Sequence, residues 1–68
     1  MNLETLIEYI KIHLISLNQD IEAVAKKMDL LDENSKDYKE LDFEYNFLSG
    51  QIHAVYYILN VAEGNDND

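Results

Sequence analysis

Few residues of this chain belong to types that carry out catalytic or metal chemistry, and the two histidines are the first to consider. A zinc or other transition-metal site needs further nitrogen, sulfur or carboxylate ligands close to each histidine. One helical turn from His13 and His53 stand side chains that are poor ligands: Tyr9, Leu17, Ser49 and Tyr57. We therefore expect no metal site, and we interpret both histidines as polar residues beside a helix interface.

Carboxylate pairs and serines do not strengthen the case for an enzyme. Glu40 has an acidic neighbour one helical turn away on each side, at Asp37 and Glu44. General acid–base catalysis also needs pocket walls that exclude water, and a chain of this size offers none. The serines lack the partners of a catalytic triad, and no glycine-rich phosphate loop is present. We expect a protein with no catalytic activity and no cofactor.

The elements that position any functional surface can be read from apolar residues spaced for long helices. In the first half of the chain these residues recur in alternating steps of four and three, a heptad seam typical of a helix packed on a partner helix. They are Leu3, Ile7, Ile10, Leu14, Leu17, Ile21, Val24, Met28 and Leu31. The pattern predicts a first helix over about 3–31, with Asn2 as its N-terminal cap.

Polar residues at 32–35 interrupt the seam and predict the turn of a hairpin. Either Asn34 or Ser35 can cap a new helix. Beyond the turn the seam resumes at Tyr38, Leu41, Tyr45, Leu48, Ile52, Val55, Leu59 and Ala62. We expect a second helix over about 36–62, ended by a C-terminal cap at Gly64.

The shortness of the turn forces the two helices to run antiparallel. Residues 1–64 are therefore predicted to form one all-α, coiled-coil-like helical hairpin, in which His13 lies at the height of His53. Residues 65–68 are predicted to be a disordered polar tail.

The second helix carries another apolar face on the side opposite its seam, also spaced four and three. Its residues are Phe43, Phe47, Gly50, Ala54, Tyr57 and Val61. On the first helix, Tyr9, Ile12 and Ile15 form a smaller apolar patch. A chain of 68 residues without cysteine buries too little surface to be comfortably stable alone. We therefore expect these surfaces to form an oligomer interface, giving a homodimeric four-helix bundle or a higher closed oligomer.

Net charge restricts the classes of partner. Fourteen acidic residues against five lysines give a net charge of -9, and a field of that sign repels nucleic-acid phosphates and anionic lipid headgroups. We expect no direct nucleic-acid binding and no membrane partner. An acidic helical surface at Glu33, Glu40 and Glu44 is better suited to a basic site on another protein. The N-terminus has no basic segment before an apolar stretch, so we expect no signal peptide and a cytoplasmic location.

A small-ligand pocket is a competing interpretation of the aromatic and basic residues. Tyr56 flanks the predicted seam near Lys11, and aromatic rings beside cations can stack and charge-pair a nucleotide. The residues of this ligand pocket are Lys11, His13, His53, Tyr56 and Tyr57. Packing at an oligomer interface explains the same residues without any ligand.

Residues 34–41 (NSKDYKEL) and 44–54 (EYNFLSGQIHA) resemble small helical-hairpin accessory proteins encoded by phages and mobile elements of low-GC bacteria. The resemblance covers mostly the second helix, and the run LSGQI is its least generic part. Abundant Asn, Ile, Lys and Tyr without arginine is also the composition that AT-rich coding gives. The resemblance implies a short accessory protein, and many such proteins block a host defence or regulatory factor by binding it.

The sequence thus predicts a non-enzymatic inhibitor that acts on a host factor through protein–protein contact in the host cytoplasm. An alternative is an oligomeric sponge that sequesters a nucleotide immune signal at subunit interfaces, since some small helical phage proteins assemble in that way. A third interpretation is a purely structural oligomerisation module.

Overall fold

The computed structural model describes residues 2–64 as two helices joined by a short turn. Helix α1 spans Leu3–Met28 and helix α2 spans Lys36–Glu63, and the two pack side by side in opposite directions. The predicted all-α helical hairpin is therefore confirmed, and the bounds of α2 lie close to those expected. The predicted polar tail at 65–68 lies outside the described residues.

Both outer ends of the hairpin have the caps that the sequence predicts. The Oδ1 atom of Asn2 accepts a hydrogen bond from the amide of Thr5 at 2.8 Å, which satisfies a donor left free in the first turn of α1. At the end of α2, Gly64 has a φ of 77°, in the left-handed region. Glycine takes this conformation without the steric penalty of a Cβ atom, and it ends the helix.

Helix α1 ends at Met28, before the seam residue Leu31 that the sequence pattern included. Beyond Met28 the amide of Leu30 donates to the carbonyl of Lys27 at 3.1 Å, and the amide of Leu31 donates to that of Met28 at 3.0 Å. Each of these bonds spans three residues instead of the four of an α-helix, so the chain tightens and turns away. The polar residues that follow bond to nearby backbone in place of continuing the helix, and α1 is shorter than predicted for this reason.

Ser35 begins helix α2 and also holds the turn together. Its Oγ atom accepts a hydrogen bond from the amide of Tyr38 at 3.1 Å and donates one to the carbonyl of Asp32 at 2.7 Å. Of the two caps that the sequence allowed, Ser35 takes this role and Asn34 does not. One side chain thereby fixes where α2 starts and how the turn approaches it.

The heptad seam predicted from the sequence is the surface along which the two helices meet. All of its residues are buried or half-buried except Leu3 and Tyr45. The buried core consists of Leu14, Leu17, Val24, Leu48 and Leu59. No large side chain within residues 2–64 is fully enclosed, because each helix is covered on one side only.

The ion pair between Lys11 and Glu63 shows that the two helices are paired in a shifted register. Their Nζ and Oε2 atoms lie 3.3 Å apart. In the predicted pairing Lys11 would lie beside Val55, about 12 Å along the axis from Glu63. Val55 instead packs against the buried cluster of Leu17, Val24 and Leu48. Both α2 residues therefore lie beside α1 residues further along that helix than the predicted pairing gives.

We expect the substitution Ser35→Ala to lower the free energy of unfolding by about 1 kcal/mol, because it removes the cap of α2 and the bond to the turn. Urea denaturation followed by circular dichroism at one fixed protein concentration measures this change. Ser16→Ala, at an exposed position inside α1, is the matched control and should not lower stability. Equal stability of the two variants would contradict the capping role.

Candidate functional site

A surface depression lies beside the turn, where the end of α1 meets the first turns of α2. We call it the loop groove, and its volume is about 770 Å³. It is lined by Lys27, Leu30, Leu31, Asp37, Glu40, Leu41, Phe43 and Glu44. The early end of α1 creates this groove, since the turn carries Leu30 away from the helix and out to the surface.

The floor and walls of the loop groove are apolar. Leu31 and Leu41 are half-buried at its floor, whereas Leu30 is 86% exposed and Phe43 is 77% exposed at its edges. Burying apolar surface is favourable by roughly 25 cal/mol per Å². Two large side chains held open beside an apolar floor therefore mark a surface on which a partner gains stability by docking.

The rim of the loop groove is acidic. Asp37, Glu40 and Glu44 lie on one side of α2 at spacings of three and four, and Lys27 is the single basic residue of the lining. Within residues 2–64 these four groups form no ion pair with one another. The three carboxylates are thus available to cations of a partner.

The sequence identified part of this site and missed the rest. Of the predicted acidic surface, Glu40 and Glu44 line the loop groove, whereas Glu33 is exposed in the turn outside it. The apolar wall was missed, although the adjacent leucines at 30 and 31 contained a signal. Only one of two adjacent residues can lie on a helix seam, so the other must point elsewhere.

The predicted oligomer interface on α2 is an open apolar surface on this hairpin. Its members, which we call the α2 apolar face, are Phe43, Phe47, Gly50, Ala54, Tyr57 and Val61, and all are exposed. The exposed fractions reach 62% for Phe47 and 68% for Tyr57. On α1, Tyr9 and Ile12 are exposed as well. Helix α1 does not cover these residues, and their role as an interface between copies stays a prediction.

The ligand pocket is predicted at subunit interfaces, and the single hairpin shows where its residues lie. Lys11, His13, His53, Tyr56 and Tyr57 are all exposed, and none of them lines the loop groove. Lys11 is occupied by its ion pair with Glu63. The shifted register also places His13 and His53 at different heights, and within residues 2–64 no three potential ligand side chains are grouped as a metal site requires.

Comparisons of the chain with protein-family models, curated proteins and solved structures found no match. Neither helix within residues 2–64 has an apolar stretch with the length and hydropathy that a membrane crossing needs.

Thermal unfolding with added ATP or a cyclic dinucleotide tests the predicted ligand pocket. A ligand that binds only the folded state stabilises it by roughly 2.7 kcal/mol at about 100 times its Kd. We expect no rise in the unfolding midpoint, because Lys11 is neutralised by Glu63. The Glu63→Gln variant, in which Lys11 has lost its ion-pair partner, is measured in parallel for comparison. A rise that grows with nucleotide concentration in the unmodified protein would contradict this expectation.

Proposed function

We propose that this chain is a small non-enzymatic binding protein that inhibits a host factor through protein–protein contact, with the loop groove as its contact surface. The observation that carries the proposal is the combination of exposed apolar residues and acidic residues in this groove. Exposed Leu30 and Phe43 stand beside an apolar floor, and three carboxylates that form no ion pair within residues 2–64 surround them. A host cytoplasmic location belongs to the same proposal.

The chemistry of the groove favours a partner segment that is both basic and apolar. Apolar side chains of the segment would be buried against Leu31 and Leu41, while its lysines or arginines would face the acidic rim. The net charge of -9 would speed the encounter, because it attracts a basic partner over distance. An amphipathic helix has both properties on opposite sides and matches a groove of this kind.

The resemblance to phage-encoded accessory hairpins supports the inhibitory role. Proteins of that kind commonly block a host defence or regulatory factor by occupying its surface. The acidic rim supports such a role, since basic sites on host factors are surfaces that an acidic hairpin can cover.

Self-association through the α2 apolar face forms a second part of the proposal, with a four-helix assembly or a higher closed oligomer as its product. The small core supports it, because the hairpin buries only part of the apolar surface that its helices carry. A structural oligomerisation module would use the same face and leave the loop groove without a role. The nucleotide sponge has less support, as the ion pair of Lys11 with Glu63 neutralises its main cation.

Two synthetic helical peptides test the loop groove. Both carry the same leucine stripe, and one has lysines where the other has glutamates. We expect the lysine peptide to bind with an affinity that falls as salt rises, and to shift the NMR signals of Leu30 and Phe43. The Glu40→Gln/Glu44→Gln variant should weaken this binding.

The control for that variant is Glu4→Gln/Glu8→Gln, which removes two charges with the same spacing from the exposed start of α1. It should bind the lysine peptide as the unmodified protein does. Equal affinities for the two peptides, or equal losses in the two variants, would rule out the loop groove as the contact surface. In bacteria that restrict a phage, expression of the unmodified protein and the control variant should raise plating efficiency, and the groove variant should not.

We expect Phe47→Glu to lower the mass of the assembly and to reduce helix content, because a charge on the α2 apolar face prevents its burial. Sedimentation and circular dichroism measure the two effects. Leu30→Glu, which puts the same charge on an exposed apolar residue of the loop groove, should leave the mass unchanged. If the Phe47→Glu variant keeps the mass and the helix content of the unmodified protein, the face is not an interface.

A further inference from the structure

Helix α2 contains the longest run of residues in the chain without an acidic residue or a lysine. Residues 45–62 contain no acidic residue and no lysine, so all fourteen acidic residues and all five lysines lie outside this segment. A helix face that stays in water normally carries charged residues. Here the uncharged segment includes Phe47 and Tyr57, both more than half exposed. The composition of this segment is therefore typical of a helix surface that is buried against a partner.

The side chains of the α2 apolar face follow a symmetric order of size. Two small residues, Gly50 and Ala54, lie at the centre, and large residues lie on both sides. A Cβ atom added at Gly50 would meet nothing within 4 Å in the single hairpin, so the backbone at the centre is open to approach. Two helices that cross are closest at the crossing point and diverge from it, which fits small residues at the centre and large ones outside.

We propose that a second copy of the chain covers this face, with the two α2 helices crossing antiparallel at Gly50 and Ala54. In this register Gly50 faces Ala54 of the partner subunit, and Phe47 faces Tyr57 of the partner subunit. A two-fold axis then repeats each contact on the other side, as a closed dimer requires. The partner is a second copy because the face is complementary to itself and because the chain needs additional burial whenever it is folded.

Charge favours the antiparallel direction over the parallel one. The acidic rim residues Asp37, Glu40 and Glu44 lie at one end of α2, just before the uncharged segment. Parallel helices would bring these carboxylates beside their own copies, and like charges at close range repel. In the antiparallel pair each acidic start lies instead beside the end of the partner's α2, where the one carboxylate, that of Glu63, is paired with Lys11. The antiparallel direction also sets the helix dipoles in the favourable opposite sense.

The α2 apolar face points away from α1, so this dimer is a layer of four helices in the order α1, α2, α2′, α1′. Phe43, the one residue shared by this face and the loop groove, faces Val61 of the partner subunit, and the rest of each groove remains open at opposite ends of the layer. The inference rests on the proposed self-association and is independent of what the grooves bind.

Disulfide formation between substituted cysteines tests the register, since the chain has no cysteine of its own. A mixture of Gly50→Cys and Ala54→Cys proteins should form the mixed disulfide on mild oxidation, and neither variant should cross-link to itself. The protein concentration is kept well above the dissociation constant, because the added side chain at position 50 weakens the dimer. Self-pairs would need Cα atoms closer than about 7 Å, and the offset between equivalent residues prevents this. Mass spectrometry of the oxidised products distinguishes the mixed pair from the two self-pairs.

Other outcomes overturn the proposal in distinguishable ways. Cross-linking of each variant to itself would show a parallel pair of helices. A dimer or larger assembly without these disulfides would show that other surfaces are covered. A monomeric mass for the unmodified protein, measured by native mass spectrometry, would reject self-association altogether while leaving the binding role of the loop groove to its own test.

The Gly50→Ala variant distinguishes a close approach of two α2 backbones from an effect on the stability of the single hairpin. In the isolated hairpin alanine meets no neighbour and improves helix propensity, so a role in folding alone predicts higher stability. In the crossed dimer the added methyl group intrudes between two backbones, and we expect the dimer dissociation constant to rise by about tenfold or more. Sedimentation over a dilution series measures it. An unchanged or lower constant would overturn the close approach at this position.

Discussion

The burial of one apolar seam from each helix against the other is the contact on which the rest of this structure depends. Leu17 and Val24 of α1 pack with Leu48 of α2, Leu14 and Leu59 are buried as well, and no third layer of the described residues covers them. A two-helix hairpin can cover only one side of each helix, so every other apolar residue must remain at the surface or find a partner outside the chain. The loop groove and the α2 apolar face are both consequences of that geometry.

The sequence predicted the parts of the fold that follow from local spacing. A repeat of four and three requires helices with one apolar side, and caps such as Asn2 and Gly64 act within a single turn. The end of α1 and the helix register were not predictable in this way. Leu31 continues the heptad pattern, but it lies outside α1 because the tight turn forms there in place of a further helical turn. The register depends on side chains such as Val55 packing between layers, which spacing within one helix does not contain.

The candidate site likewise contains residues that could be predicted from the sequence and residues that could not. Glu40 and Glu44 were identified because acidic residues at this spacing share one side of a helix whatever its partner does. Leu30 was missed because its exposure results from where α1 ends, which is a property of the turn. The apolar residues of α2 were identified as a face, but the sequence pattern alone gives no direction of pairing. The direction that we propose rests on the distribution of charge, with an acidic start of α2 next to a long uncharged segment.

The small buried core of the single hairpin bears on how the folded fraction depends on protein concentration. If a second copy covers the α2 apolar face as we propose, that contact would supply a large share of the stability, because few side chains are buried inside one chain. Folding and assembly would then be one equilibrium that depends on concentration. Well above the dissociation constant the chains would be folded, and well below it they would open and become substrates for proteases. Such a protein would persist while it is abundantly made and would be cleared soon after its synthesis stops, without any dedicated signal for degradation.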